Sequence, residues 1–393
     1  MPIIDPAVAM RPYSDYSAYK TGVEQNVFLK LENGEIFNGR VWPGDAAFPD
    51  FFNDNTTKWW HNQLTEFHNR ISFDGLWLDM NEAANFCNGA CTPRQRQQRS
   101  ELDYVTFLPT GRNIEQQSIA VDAVHYDGRT QLDAHSIYGA MQTKTTYDWF
   151  VNQNQKRPFI VERSSFAGMG KFGSKWLGDN SASFMDMQRS VTGTMMMNVF
   201  GIPFVGGDIC GFGGPDTTPE LCARWHQVGA FQPFSRNHRD CEGAPQEPYR
   251  FINETVGGVT VTDIMKDAIL TKYSLQRYYY TQLFLLSKDA ETVGSFYKPL
   301  FFEYPNDPKS YEADPTENVM LGSALKLSIK TQANTNWTEE WNTHYFPQGR
   351  WCDIMDPTKV CIDVNSTQGQ MLPLPANLSQ YHLHLREGFI IPM

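Results

Sequence analysis

One local pattern recurs along this chain and constrains its fold more than any other feature. A segment of helical period runs into a short apolar stretch, and that stretch ends abruptly in a charged or polar residue. Between 54 and 71, Trp60, Leu64, Phe67 and Ile71 recur at intervals of four, three and four, with Asp54 placed to cap a helix; F-D-G-L-W-L-D then reads as a buried strand ending in Asp79. R-P-F-I-V at 157–161 leads to Arg163 in the same way. A helical segment from about Ala182 to Val199 feeds G-I-P-F-V-G-G-D, which ends in Asp208. The next helix has Thr218 as its cap, Pro219 at its first position and Leu221, Trp225 and Val228 on one face, and it leads to F-Q-P-F-S-R-N-H. Polar groups at the carboxyl ends of several parallel strands are the mark of a (β/α)₈ barrel. A length of 393 residues suits such a barrel with a smaller appendage.

The rhythm lasts through one more long helix, about Asp263 to Leu286, with Ile264, Ala268, Leu275 and Tyr279 on one face. Beyond it the chain turns to Pro, Asn, Thr and aromatics, with β-like runs such as K-P-L-F-F-E-Y and R-E-G-F-I-I-P. The expected organisation is α/β: a partial barrel over 1–290 and a C-terminal β-sandwich domain over 291–393. Residues 87 to 132, which include Q-R-Q-Q-R, lack periodicity and read as a long loop on the barrel's active face.

Composition excludes several classes of function. Lys plus Arg number 33 against 44 for Asp plus Glu, a net charge of −11 with no basic run, which argues against a nucleic-acid surface. The longest apolar stretch, 191 to 207, is broken by Thr192, Gly193, Thr194, Asn198 and Pro203 and does not read as a membrane span. Five N-x-[ST] acceptors, at Asn55, Asn253, Asn336, Asn365 and Asn377, point to a secreted or lysosomal protein. Among seven cysteines, Cys210 and Cys222, or Cys352 and Cys361, are close enough to close small loops. The odd count leaves at least one thiol over, and Cys87, Cys91 and Cys241 have no evident partner in the sequence. The N-terminus, M-P-I-I-D-P-A-V-A-M-R, lacks a signal peptide's basic start and resembles the inside of a strand, so a missing amino-terminal part is expected.

The chemistry is carried by acids. D-G-L-W-L-D-M-N-E sets Asp79 at a strand end, followed by an Asn and a second acid; K-W-L-G-D-N sets Asp179 beside Trp176; V-G-G-D-I-C-G-F sets Asp208. A lone Asp is usually a surface or capping residue, and Asp179 could cap a helix starting at Ser181. Three strand-terminal acids in one chain favour a pocket of paired carboxyls instead, as glycoside hydrolysis requires. Gly168, Gly170 and Gly173 spell G-x-G-x-x-G, but no helix opens inside the string to receive a pyrophosphate. His382 and His384 could share a strand face, yet no thiol or acid accompanies them at metal-ligand spacing, so neither metal nor cofactor is expected. A Ser-His-Asp hydrolase would need a G-x-S-x-G elbow, which is absent.

The strings W-L-D-M-N-E, E-R-S-S-F-A-G, W-L-G-D-N, G-D-I-C-G-F and F-S-R-N-H, in this order, resemble glycoside hydrolase family 31, and within it the branch of maltases, sucrase-isomaltase and lysosomal acid α-glucosidase. V-W-P-G-D-A-A-F-P-D, Y-S-L-Q-R-Y-Y-Y-T and L-R-E-G-F-I-I-P extend the likeness over nearly the whole chain. The resemblance implies a retaining exo-α-glucosidase acting on maltose-like oligosaccharides, with Asp79 as nucleophile and Asp179 as general acid/base. It implies that Arg163, Asp208 and His238 bind the terminal glucose, His238 as a charged donor where protonated, and that Trp42, Trp77, Met80, Trp176 and Phe212 wall the pocket. Cys210 and Cys222 would form a disulfide beside it. The family's chain normally begins upstream with a β-sandwich and two further barrel strands and ends in a second C-terminal β domain. The competing expectation is therefore an inactive or sugar-binding fragment.

Overall fold

The computed structural model describes residues 1–10, 16–91, 114–154, 157–288, 294–334, 340–356 and 358–393. They form two compact units, residues 1–175 and 176–393. Residues 92–113 of the polar insertion, the acceptor Asn336 and the expected domain boundary near 290 lie outside the described residues.

The first unit runs through β1 (Ile3–Ile4), β2 (Val8–Ala9), β3 (Gly39–Val41), β4 (Gly44–Ala47), β5 (Gly75–Leu78), β6 (Phe159–Glu162) and β7 (Ser174–Trp176). β1, β5, β6 and β7 pair in parallel, with Ile3 opposite Trp77, Trp77 opposite Val161 and Val161 opposite Ser174. The polar residues expected at strand ends therefore follow neighbouring strands. β2, β4 and β3 form a small antiparallel sheet. The helix before β5 spans Asp54–Arg70, and its cap is Asn53, whose side chain accepts from the Asn55 amide at 2.9 Å. Asp54, expected as the cap, is instead the first helical residue, where its charge favours the helix dipole. Ile71 likewise falls just outside the helix and is 63% exposed. Trp59, Trp60 and Leu64 are buried. The Trp60 indole donates to Thr146 Oγ1 at 3.0 Å, and Trp149 donates to Thr65 Oγ1 at 2.9 Å, tying this helix to a second one at Tyr138–Asn154.

Short strands open the second unit: β8 (Val205–Gly206), β9 (Asp208–Ile209) and β10 (Arg236–Asn237), the last two paired in parallel with Asp208 opposite Arg236. Ser183 caps the helix Phe184–Val199, accepting from the Asp186 amide at 3.1 Å, so Asp179 is not its cap. Thr218 caps the helix Pro219–Phe231 as expected, accepting from Leu221 N at 3.2 Å. That helix is buried on every side, not on one face alone. Gly229 meets Ile209 on one side, while Arg224 and Gln227 donate to the carbonyls of Ala376 (2.7 Å) and Leu378 (2.6 Å) on the other. The single helix expected over 263–286 is two, Val261–Ser274 and Gln276–Lys288, because the backbone leaves helical geometry at Leu275.

After the hairpin β11 (Thr255–Val256) and β12 (Val259–Thr260), the remaining strands are β13 (Tyr297–Pro299), β14 (Asn318–Leu321), β15 (Leu325–Ser328), β16 (Trp341–Phe346), β17 (Gly349–Asp353), β18 (Ile362–Val364), β19 (Gln370–Pro375) and β20 (His382–Arg386). Six form an antiparallel sheet in the order β13-β14-β15-β20-β17-β18, and β16 pairs with β19. Met320, Tyr345, Phe346, Trp351 and Val364, drawn from both sheets, share one core, which makes the expected sandwich. Inside it sits Lys326, fully buried, donating to Ser328 Oγ at 2.5 Å and Asn318 Oδ1 at 3.2 Å, with its ammonium nitrogen 4.2 Å from the Phe346 ring centroid. His382 and His384 do share a strand, and the fold supplies the acid the sequence did not place near them: Asp353 Oδ2 lies 3.3 Å from His382 Nδ1.

Three disulfides occur among the described residues, Cys87–Cys91, Cys210–Cys222 and Cys352–Cys361, and Cys241 is free and exposed. The glycine string at 168–173 holds one 3₁₀ turn, Met169–Lys171, that runs directly into β7. No described helix is long and apolar enough to cross a membrane.

Candidate active site

The first unit gathers charge at the ends of β1, β5 and β6. Asp79 leaves β5 on the same face as Trp77, and its amide donates to the Ile4 carbonyl at 3.1 Å. Arg163 leaves β6, and its amide donates to Leu78 O at 3.0 Å. Arg163 Nη1 stands 3.4 Å from Asp79 Oδ1, and the guanidinium forks onto Glu82, through Nε at 3.2 Å and through Nη2. Met80 Sδ also accepts from Nη2, at 2.9 Å. Asn81, fully buried, takes the Ser164 amide at 2.7 Å and so joins the turn after Asp79 to the turn after Arg163. Met80 holds a φ of 56°, a left-handed conformation unusual for a side-chain-bearing residue and frequent at functional sites.

Two acids in this group were absent from the candidate residues read off the sequence. Glu82 is the fork's carboxylate. Asp5 follows β1, and burial together with the Asp79 charge pushes its carboxyl up to about 6, against the lowering influence of Arg163. The signal was available, since P-I-I-D is another apolar run ending in an acid. Trp42 stands at the tip of the β3–β4 hairpin, 73% exposed, edge-on to Phe86 with centroids 4.8 Å apart.

The second unit holds the other candidates. Trp176 is buried, and its indole donates to Asp208 Oδ1 at 2.9 Å; Arg236 Nη2 donates to the same oxygen at 2.8 Å while its guanidinium lies 5.2 Å from the Trp176 ring centroid. Asp208 is fully buried, its Oδ2 has no hydrogen-bond partner among the described residues, and burial pushes its carboxyl up to about 7 despite Arg236. Asp179 is exposed and follows Gly178, whose φ of 93° suits glycine. The next carbonyl, Asn180 O, accepts from Phe212 N (2.8 Å) and Gly213 N (3.0 Å), tying the Asp179 turn to the Phe212 turn.

Phe212 and His238 lie ring against ring, centroids 4.9 Å apart. Burial and the neighbouring Arg236 lower the His238 imidazole to about 4, so at neutral pH it offers a neutral donor in place of a charged one. Gln246, buried and unremarked in the sequence, donates to the carbonyls of Ile209, Gly211 and His238 at 3.2, 3.0 and 3.1 Å and gathers these turns. Cys210, Cys222 and His226 bring three metal-capable atoms within 4.8 Å, but both sulfurs belong to the disulfide.

Comparison with known proteins decides the family. Residues 1–282 match the sequence profile of the glycosyl hydrolases family 31 TIM-barrel domain, and residues 294–391 that of the family's C-terminal domain. The chain belongs to glycosyl hydrolase family 31. It is 36% identical to lysosomal alpha-glucosidase of Mus musculus over 409 residues, covering 100% of this chain and 41% of that protein. It is 34% identical both to alpha-glucosidase of Hordeum vulgare, covering 100% and 42%, and to alpha-xylosidase 1 of Arabidopsis thaliana, covering 99% and 43%. Among solved structures, the glucosidase II alpha subunit matches with a TM-score of 0.81 at 24% identity, over 98% of this chain and 37% of that one. This family 31 chain thus spans about two fifths of the length of the curated relatives it matches.

Proposed function

We propose that this family 31 polypeptide acts as a retaining exo-α-glucosidase on the terminal α-linked glucose of maltose-like oligosaccharides, without a cofactor. The observation that carries the reading is the group at the ends of β5 and β6: a strand-terminal carboxylate, Asp79, with an arginine 3.4 Å away that a second carboxylate holds. Asp79, in its ionised form, attacks the anomeric carbon as the glycosidic C–O bond breaks. Asp179 gives its proton to the departing oxygen, then takes one from the water that releases glucose from Asp79. Arg163, Asp208 and His238 bind the sugar's hydroxyls, and the aromatic side chains hold its apolar faces. Three disulfides and the N-x-[ST] acceptors support a secreted or lysosomal setting.

The test is glucose release from maltose, followed by NMR for retention of the anomeric configuration. Asp79→Asn is expected to abolish release, and Asp179→Ala to be partly rescued by azide on substrates with good leaving groups. Retained activity in the Asp79 variant refutes the nucleophile. A carboxyl separation of roughly 5 to 5.5 Å between Asp79 and Asp179 in a glucose-bound crystal structure is expected; about 9 Å would contradict a retaining mechanism. Maltose binding without turnover would support the sugar-binding alternative, and preference for α-xylosides would transfer the substrate assignment.

A further inference from the structure

We propose that Lys175 is a positioning residue for Arg163: its ammonium clamps the Arg163 main-chain carbonyl, opposite the buried Glu162 carboxylate, and so fixes the guanidinium beside Asp79. The inference rests on the reading of Arg163 and Asp79 as parts of a sugar site.

The placement follows from the ladder. β6 and β7 pair in parallel with Glu162 opposite Lys175, so the two side chains project from the same face of the sheet. Glu162 is the last residue of β6, immediately before Arg163, and it is completely buried. Thr143 Oγ1, from the helix Tyr138–Asn154, donates to Glu162 Oε2 at 2.5 Å, while Oε1 has no hydrogen-bond partner among the described residues. Lys175 Nζ donates to the Arg163 carbonyl oxygen. The Arg163 residue is therefore gripped at both ends of its main chain: its N–H by the strand that delivers Asp79, its C=O by the lysine.

A completely buried carboxyl beside a half-buried amine is an expensive way to fill space, since well-packed apolar residues are often at least as stable there. Burial pushes the Glu162 carboxyl up to about 8 and the Lys175 amine down to about 8. The charges acting on Lys175 are Glu162 and Glu82, which favour its ammonium form, and Arg163, which opposes it. The lysine thus also senses the carboxylate that holds the Arg163 fork. Loss of its proton weakens the hydrogen bond to the carbonyl at the point where Arg163 leaves the strand.

The test compares Lys175→Met, which keeps an unbranched side chain one atom shorter and removes the donor, with the unaltered chain. The expected kinetic result is a fall of about tenfold or more in kcat/KM for maltose, carried mainly by KM. The expected crystallographic result is an Arg163 Nη1 to Asp79 Oδ1 distance beyond 4 Å, against 3.4 Å here. A lower melting temperature with KM and that distance unchanged would mean a purely structural role and would overturn the proposal. Glu162→Gln is the second variant, decisive if Lys175→Met does not fold; it should move the alkaline limb of kcat/KM to lower pH, because Lys175 loses its countercharge. An unmoved limb counts against the clamp. If the unaltered chain hydrolyses no α-glycoside, the enzymatic reading fails on its own, and the Arg163 to Asp79 distance in the variants still decides the role of Lys175.

Discussion

Replacing Lys326 by methionine should stabilise the C-terminal β-sandwich. The lysine lies in β15 with no exposure, in contact with the Phe346 ring and with no carboxylate within ion-pair distance among the described residues. Burial holds its amine well below the ordinary 10.5, so the unfolded chain binds the proton more readily than the folded one. Every pH unit below 10.5 then favours unfolding by about 1.4 kcal/mol, until the folded amine also takes up its proton. Methionine removes that cost and occupies a similar volume. The substitution also strips the partner from the buried Ser328 hydroxyl, a loss of about 1–3 kcal/mol, whereas Asn318 Oδ1 keeps the Tyr345 amide at 3.1 Å. The net expectation at pH 7 is a more stable variant. Urea unfolding followed by tryptophan fluorescence would measure it, and the advantage should shrink as the pH is raised toward 10.5, where the unfolded chain loses the same proton. His344 and His384, which the buried setting holds at about 2 and about 3, stay neutral across that window and do not contribute. A variant less stable than the parent at pH 7, or an advantage equal at both pH values, would refute the argument.

Arg236→Met should destabilise the second unit at neutral pH and more so above it, because it leaves the buried Asp208 carboxyl without the cation that favours its ionised form. The Asp208 pKa is already raised, so its contribution to stability is greatest below the ordinary carboxylate range and is lost as pH rises through about 7. The variant's deficit should therefore narrow as the pH is lowered toward 4; a deficit that widens would contradict the sign, and melting temperatures over that range would show it. Trp42→Ala, at a residue 73% exposed, should change stability by no more than about 0.5 kcal/mol. It should nonetheless raise KM for maltose, and unchanged KM would remove Trp42 from the pocket.

The parallel-strand architecture was legible because the signals were local: the period of Trp60 and Leu64, the cap at Thr218, the glycines and acids at strand ends. The errors arise where local chemistry leaves a choice. Asn53 and Asp54 are both good caps, and only the entering backbone selects Asn53. The break at Leu275 carries no Gly or Pro to announce it. The Pro219–Phe231 helix reads as one-sided because Arg224 and Gln227 are polar, yet both are buried against carbonyls more than 150 residues away in sequence. Of the candidate site, Asp79, Arg163 and Asp208 stand out as strand-terminal polar groups. Asp5 carries the same strand-terminal signal, whereas Glu82 and Gln246 become visible only when the fold shows what they hold, and Lys326 reads as an ordinary strand lysine until β14, β16 and β20 close around it.

The small ring closed by Cys87 and Cys91 sits where the two flanks of the polar insertion meet. Asn85, buried beside it, takes the Arg40 amide at 2.8 Å and donates to Gly89 O at 2.6 Å, while the Phe86 amide donates to Arg40 O at 2.8 Å and the Asn85 amide to Gln117 O at 2.9 Å. Gly89, inside the ring, gives its own amide to Ser118 O at 3.0 Å. Opening the ring would therefore loosen both flanks together, because the residues that hold Arg40 on one side and Gln117 and Ser118 on the other lie within it or next to it.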